Sequence, residues 1–490
     1  MLTEALLGIL LVVLFVVFVN KKPPNLPPGI WGWPVVGSLP SEDVSLGEQV
    51  LELRKKHGDI VSWRMGSRIF IFFCDYKLIK SAFSKIEFTD RPDFYSFDIF
   101  NEYTKSGIAN TNGQMWVDNR RFALRQLRDL GMGKTRLEKA IQYEAVCLVK
   151  DLGPYRDVLV LPASITVAVL NVIWKLTADH RFDVNSPEIH SLSKMITTLF
   201  EDFQGPVVWF DLMPWLIPIV PNFVRKWMGI ETLEKNIHYV LELMGKYIKE
   251  HQDTLDPDNP RDYIDAYLLE MEARKDDPQS NMSIFDLKNC MADLFTAGSE
   301  TTASTIRWAI YYLAKYPEIQ AKVHKEIDSV VPRDVLPSIQ QKSSLPYLEA
   351  VTLEIHRLAS LLRVGLLHSC NKDTEFGGYL IPKGAVISAL QEGCHMDPAY
   401  WEKPHELYPE HFLDDQGKIL TKKEGFLPFS LGRRQCPGSP GPHGLFVFLS
   451  ALLQNFVFSV PKGKDLKLEG PESSFLNLPK DLDVVITKRP

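Results

Sequence analysis

The segment Phe429-Ser430-Leu431-Gly432-Arg433-Arg434-Gln435-Cys436-Pro437-Gly438 sets one cysteine in a glycine-rich loop beside two arginines, just before an apolar run at 445–458. A cysteine ligates a metal or attacks an electrophile only as the thiolate. Arginines, loop N–H groups and the start of a following helix all favour that anion. Thiolate chemistry is the first expectation. The alternative, a cysteine packed as a small hydrophobe in a turn, leaves the flanking arginines and glycines unexplained.

Three other constellations carry polar groups at meaningful spacing. Ala297-Gly298-Ser299-Glu300-Thr301-Thr302 lies in the middle of a stretch without proline between Ser283 and Tyr316. Glycine there admits a close neighbour, and threonine hydroxyls that bond the carbonyl four residues back loosen the helix, opening a polar notch. Taken alone, such a stretch packs helices together as readily as it lines a site. Glu354-Ile355-His356-Arg357 puts a carboxylate and a guanidinium three apart, worth only about 0.2–0.5 kcal/mol on an exposed helix. Trp116 and Arg120 share a helical face, and Arg121, Arg125 and Arg128 continue a basic stripe along the same helix. A stripe of this kind is a solvated face by default.

Taken together, these motifs resemble the cytochrome P-450 superfamily along essentially the whole chain. The resemblance implies a mainly α fold with small β-sheets and one haem b, with Cys436 as the axial thiolate ligand of its iron. It implies that Trp116, Arg120, Arg434 and His368 hold the haem propionates, with Arg91 as a further candidate. Thr301 would hold water and dioxygen, and Glu300 would help relay protons. Glu354 and Arg357 would lock onto His411, in the segment Tyr408-Pro409-Glu410-His411-Phe412 where many relatives have arginine, and support the proximal side.

Local wording such as Trp174-Lys175-Leu176, Gly131-Met132-Gly133-Lys134 and His411-Phe412-Leu413-Asp414-Asp415 is similar to microsomal family 2, and most to its subfamily L. The implied activity is monooxygenation of apolar substrates (xenobiotics, steroids or fatty acids). Electrons would come from NADPH through a flavoprotein reductase, with cytochrome b5 as a second partner. The basic stripe would then flank the docking face. Two other readings stand beside this one. A haem-thiolate isomerase would need no reductase, and retention of Glu300 and Thr301 speaks against it. A haem-binding protein with impaired activity would follow from the next feature.

After Gly438, relatives continue with Glu-x-Leu-Ala-Arg-x-Glu-Leu-Phe and open a helix, whereas this chain has Ser439-Pro440-Gly441-Pro442-His443-Gly444-Leu445-Phe446. Prolines and glycines are poor material for a first turn, so the helix is expected to start late, near Leu445, and to retain haem less firmly. Ser-Pro-Gly-Pro-His-Gly can be encoded AGT CCT GGC CCG CAT GGA. Read one base later, the same string gives Val-Leu-Ala-Arg-Met followed by Glu or Asp, which points to two compensating frameshifts. Resequencing the transcript decides this.

The elements that must position these groups read as one large helical domain at 41–490. In the whole chain of 490 residues, 45% hydrophobic and 24% charged, there is no internal repeat or flexible linker after residue 45. A net charge of −6 argues against nucleic acid as a partner. The six cysteines are scattered without metal-like pairs and read as reduced cytosolic thiols.

Residues 5–19 are uninterruptedly apolar and are followed by Asn20-Lys21-Lys22, the pattern of an uncleaved anchor at 1–20 with the lysine side in the cytosol. That places the protein in the endoplasmic reticulum membrane. A proline-dense hinge at 21–40 follows. A hairpin is expected at 60–65 and 69–73, a long helix from Ser283, which heads a capping box with Asp286, up to Pro317, and strand-like residues at 379–390. The segment 207–228, rich in tryptophan and broken by prolines, is either a lid in the core or a patch touching lipid.

Overall fold

In the computed structural model, the residues described are 20–41, 43–130, 135–154, 158–184, 186–420, 422–439, 443–468, 470 and 476–489. The apolar run at 5–19, Gly131-Met132-Gly133-Lys134 and Pro440-Gly441-Pro442 lie outside them. Among the described residues no helix is long and apolar enough to cross a membrane.

Three small sheets frame a helical body. The largest runs in the order β1 (Gly29–Ile30), β2 (Ile60–Met65), β3 (Arg68–Phe73), β8 (Val386–Ala389) and β5 (His368–Ser369). Strands β2 and β3 make the expected hairpin around Gly66-Ser67, with Trp63 opposite Phe70. Every residue of β2 and β8 is buried, so both faces are covered and no alternation shows in the sequence. Strand β1 pairs in parallel with β2, which draws part of the proline-dense stretch into the sheet. Gly29 is required there, because a Cβ would lie 1.8 Å from the Ser62 carbonyl oxygen. A second sheet joins β4 (Val158–Val160), β10 (Asp483–Lys488) and β9 (Phe456–Ser459), and β6 (Thr374–Phe376) pairs with β7 (Tyr379–Ile381). The strand-like 379–390 region thus divides at Pro382 and serves two different sheets.

The helices begin with α1 (Leu46–His57), α2 (Tyr76–Ser84), α3 (Tyr95–Phe100), α4 (Gly113–Asp129), α5 (Thr135–Leu152) and α6 (Ser164–Ala178). They continue with α7 (Pro187–Asp202), α8 (Val208–Leu212), α9 (Asn222–Trp227), α10 (Ile230–Thr254) and α11 (Tyr263–Ala273). The last are α12 (Ile284–Lys315), α13 (Pro317–Val330), α14 (Pro346–Ala359), α15 (Gln391–His395) and α16 (His443–Asn455).

The 32 residues of α12 span about 48 Å and cross the domain. Ser283 caps α12 by accepting the Asp286 N–H at 3.0 Å. The other half of the expected capping box is missing, because the Asp286 carboxylate accepts from Gly107 N, Asn119 Nδ2 and Tyr267 Oη instead. Pro317 ends α12 and opens α13 at its first turn, where a missing N–H costs nothing.

Two hydrophobic clusters meet along this helix. Leu287, Met291 and Phe295 belong to a cluster with Trp174, Ile196, Met244 and Tyr267, while Ile306, Trp308 and Ile310 belong to another with Ile165, Val351, Phe446 and Leu449. The stretch 296–302 falls between the two cores, so the sequence has placed its small and polar residues where neither core needs them.

The aromatic segment divides into a buried and an exposed part. Val207, Phe210 and Met213 are buried, whereas Ile219 is 64%, Phe223 75% and Trp227 86% exposed, on and around the short helix α9. Helix α16 starts at His443, two residues earlier than expected.

Candidate active site

The cysteine loop is held by its own backbone and by α2. Cys436 N donates to Phe429 O at 2.9 Å, and Gly432 takes a positive φ of 77°, with no room for a Cβ against the Phe83 carbonyl 2.0 Å away. Cys436 is exposed to solvent, yet burial is the leading influence on its thiol and raises its pKa. These two facts agree only if the sulfur lines an internal hollow rather than the outer surface. The Gly438 N–H, Arg120 and the Ser439 N–H pull the pKa the other way without winning. The thiolate expected from the loop alone therefore needs a further positive charge, which a bound metal ion supplies.

In the middle of α12, Ala297 is exposed although Thr296 and Ser299 beside it are buried, and Gly298, Thr301 and Thr302 are partly so. Thr301 Oγ1 donates to Ala297 O at 2.6 Å. Its proton is committed to the backbone, so its lone pairs are left for an incoming donor. Glu300, next in sequence, is 98% hidden on another face. It accepts Ser304 Oγ at 3.1 Å and Thr197 Oγ1 at 3.2 Å, and Arg307 Nη1 lies 3.5 Å away. The two notch residues thus sit together in sequence but not on one surface.

Cations gather at one edge of the loop. The Arg434 guanidinium stacks over the Trp116 ring at 4.0 Å, and Arg120, on the same helical face as Trp116, donates to Gln435 O. Arg434 also donates to the carbonyls of Thr89 and Thr111 and to the Asn112 side chain, and Arg91 to those of Ala109 and Leu367. Asn112 Oδ1 also accepts the Arg91 N–H, which is why the start of α4 has no side-chain cap. Among the described residues no carboxylate pairs with these arginines. Burial first, and then Arg91, depress Arg434 to about 8, while burial and Arg120 depress Arg91 to about 10. His368 stacks on Phe83 at 4.2 Å, and its Nδ1–H donates to Phe88 O at 2.7 Å. Burial and Arg91 push it well below the usual range, so the ring is neutral and its spare nitrogen accepts. The sequence expectation of His368 as a donor to an anion is thereby restricted to a state in which the anion itself recharges the ring.

Beneath the loop, Arg357 makes a two-pronged ion pair with Glu354 at 2.6 and 2.8 Å, with both side chains fully buried. His411 Nδ1 lies 3.1 Å from Glu354 Oε1, and Arg357 also donates to the carbonyls of His395, Pro404 and Glu406. The three-residue lock implied by the family resemblance is present. Of the basic stripe, Arg125 pairs with Glu270 of α11 at 2.7 Å, while Arg121 and Arg128 stay exposed.

The sequence matches the family model described as Cytochrome P450 over residues 27–486. The chain is 52% identical over 478 residues to Cytochrome P450 2L1 of Panulirus argus, covering 97% of each. It is 36% identical over 473 residues to Cytochrome P450 2B4 of Oryctolagus cuniculus, covering 94% of this chain and 93% of the relative. Against Cytochrome P450 2C8 of Homo sapiens it is 35% identical over 470 residues, covering 94% of each. The chain belongs to the cytochrome P450 family. As such it is a haem-thiolate monooxygenase, an oxidoreductase whose haem b is bound through a cysteine thiolate. The observed residues fit that group. The thiol is accessible yet desolvated by the protein around it, and beside its loop stand buried guanidinium groups that have no carboxylate partner among the described residues, suited to two carboxylates.

Sequence reasoning missed the groups that pin the loop after α3. Asp293 Oδ2 accepts the N–H groups of Ile108 and Ala109 at 2.6 and 2.9 Å, and Asn119 joins Gly107 O to Asp286. No local signal marked them, since their partners lie in distant segments of the chain.

Proposed function

We propose that Cys436 is the axial ligand and that Trp116, Arg120, Arg434 and Arg91 receive the haem propionates, with His368 completing the set once recharged. The observation that supports this reading is the accessible Cys436 thiol, in a loop whose neighbouring buried Arg434 and Arg91 have no carboxylate partner among the described residues. Haem, when bound, supplies activation of dioxygen by electrons. The rest is done by side chains. The Thr301 hydroxyl, its proton given to Ala297 O, accepts from water and keeps it in the notch. Glu300 carries protons from its buried network toward Thr301. Glu354, Arg357 and His411 keep α14 rigid behind the loop, and so fix the height of Cys436.

The substrate is an apolar small molecule, a xenobiotic, steroid or fatty acid, admitted beneath the aromatic segment. Electrons arrive from NADPH through a flavoprotein reductase, with cytochrome b5 as an accessory donor, at a face flanked by Arg121 and Arg128. Residues 1–20 anchor the chain in the endoplasmic reticulum membrane, with the hinge at 21–40 and the catalytic domain at 41–490 on the cytosolic side. Exposed Phe223 and Trp227 rest on the same lipid surface. Reconstitution with reductase, NADPH and isotopically labelled dioxygen tests this. Label in one product oxygen, strictly dependent on NADPH, is expected. Product formed from a peroxide without NADPH, and without label, would instead indicate an isomerase.

A further inference from the structure

Both oxygens of the Glu300 carboxylate are tied to groups outside the notch. Oε1 accepts from Ser304 and faces Arg307, which is in turn fixed through Nη2 to Thr166 Oγ1 of α6 at 2.8 Å. Oε2 accepts from Thr197 Oγ1 at 3.2 Å. Ser304 and Arg307 ride on α12 with Glu300 itself, and α6 is buried nearly all round in the core. Thr197 is different, because α7 leads within a few residues into the aromatic segment, whose far end around α9 is exposed. One hydrogen bond therefore crosses from α7 to the carboxylate.

Two further details make this bond releasable. The Thr197 hydroxyl has a second acceptor, the Ser193 carbonyl of its own helix at 3.3 Å, so letting go of Glu300 leaves no orphaned donor. One turn before Glu300 on the same face of α12, the Thr296 hydroxyl is buried without any partner. An unpaired buried hydroxyl is a costly arrangement, relieved when a carboxylate turns toward it.

The geometry points to Thr197 as a positioning residue that holds Glu300 withdrawn while the pocket is empty and releases it when substrate displaces α7. Freed, the carboxylate turns from Thr197 toward Thr296 and the notch at Thr301. Proton supply is thereby coupled to displacement of α7 by substrate, and an empty enzyme loses a larger share of its NADPH electrons as hydrogen peroxide. This rests on Glu300 being the proton relay.

The test uses the full-length, haem-loaded chain with reductase and NADPH, with 7-ethoxycoumarin as an apolar probe. Hydrogen peroxide released per NADPH is measured with and without the probe for wild type, Thr197→Val, Thr197→Ser and Glu300→Gln. Unfolding midpoints of the singles and of the Thr197→Val/Glu300→Gln double are measured without NADPH. In the wild type the probe is expected to lower the peroxide fraction at least about threefold. Thr197→Val should reduce that dependence to within about twofold, and Thr197→Ser should restore it. Glu300→Gln should shift the midpoint in the Thr197→Val background by less than about half its shift in wild type. Wild-type probe dependence in Thr197→Val, its loss in both Thr197 variants, or additive midpoint shifts would each overturn the proposal. Unchanged peroxide yield in Glu300→Gln would remove the relay beneath it, whatever the Thr197 variants do.

Discussion

Asp293 shows how one buried side chain can shape the behaviour of the whole protein. Burial raises its pKa to about 7, against backbone hydrogen bonds from Ala109 and Ile108 that lower it. A carboxyl whose folded pKa lies above its unfolded value of 3.8 binds its proton more tightly when folded. Stability must therefore fall as pH rises from 3.8 toward 7, and then level off. Replacing Asp293 by Asn keeps an acceptor for the two N–H groups but removes the titration. Unfolding midpoints of the variant should lose this part of the decline between pH 5 and pH 7.5, and an unchanged decline would assign it to another group. The sequence could not reveal Asp293, because its meaning comes from Ile108 and Ala109, far away in the chain. Cys436, by contrast, stood out in the sequence because the glycines and arginines beside it are local, although Arg120 and Phe83, which also act on its loop, come from distant segments. Glu300 was legible as a polar residue in the right helix but not in its orientation, which depends on Thr197 and Arg307.

At the scale of elements, the Glu354–Arg357 pair moves from negligible to decisive when its helix is buried. On a surface it would contribute a few tenths of a kcal/mol. With both side chains fully buried, removing one partner strands a charge, so Arg357→Met is expected to cost about 3–5 kcal/mol in denaturant unfolding. His411→Ala should cost less, about 1–3 kcal/mol, since Arg357 still holds Glu354. Equal losses in the two variants would contradict this ranking.

Helix α12 was readable from Ser283 to Pro317, because its cap and stop are local signals. Only the destination of the Asp286 carboxylate escaped, again because its partners come from distant segments. Helix α16 begins at His443. Replacing residues 439–444 by the frame-shifted wording, Val-Leu-Ala-Arg-Met-Glu, supplies strong helix formers at its start. Transfer of haem from that variant to an apo-globin acceptor should be slower than from the chain as it stands. Equal or faster transfer would show that this segment does not govern retention.

For the whole molecule, the sheets, the long helix and the hydrophobic clusters form a frame with an exposed apolar face around α9. Phe223 and Trp227 stand out there at 75% and 86% exposure, while Phe210 in the same aromatic segment is buried. Composition announced the aromatics, but only packing separates those facing inward from those facing outward. Phe223→Ser together with Trp227→Ser should lower partition onto phospholipid vesicles severalfold without moving the unfolding midpoint by more than a few degrees. A large fall in the midpoint would mean that the two residues serve the core.

The proposed ligation of haem iron by Cys436 is what the rest depends on, and its most direct measurement is the reduced carbon monoxide difference spectrum of Cys436→Ser beside the unaltered chain. The unaltered protein should give the red-shifted Soret band of thiolate-ligated haem, and the variant should lose that band together with NADPH-dependent turnover. An identical band and turnover in Cys436→Ser would contradict the account at its centre.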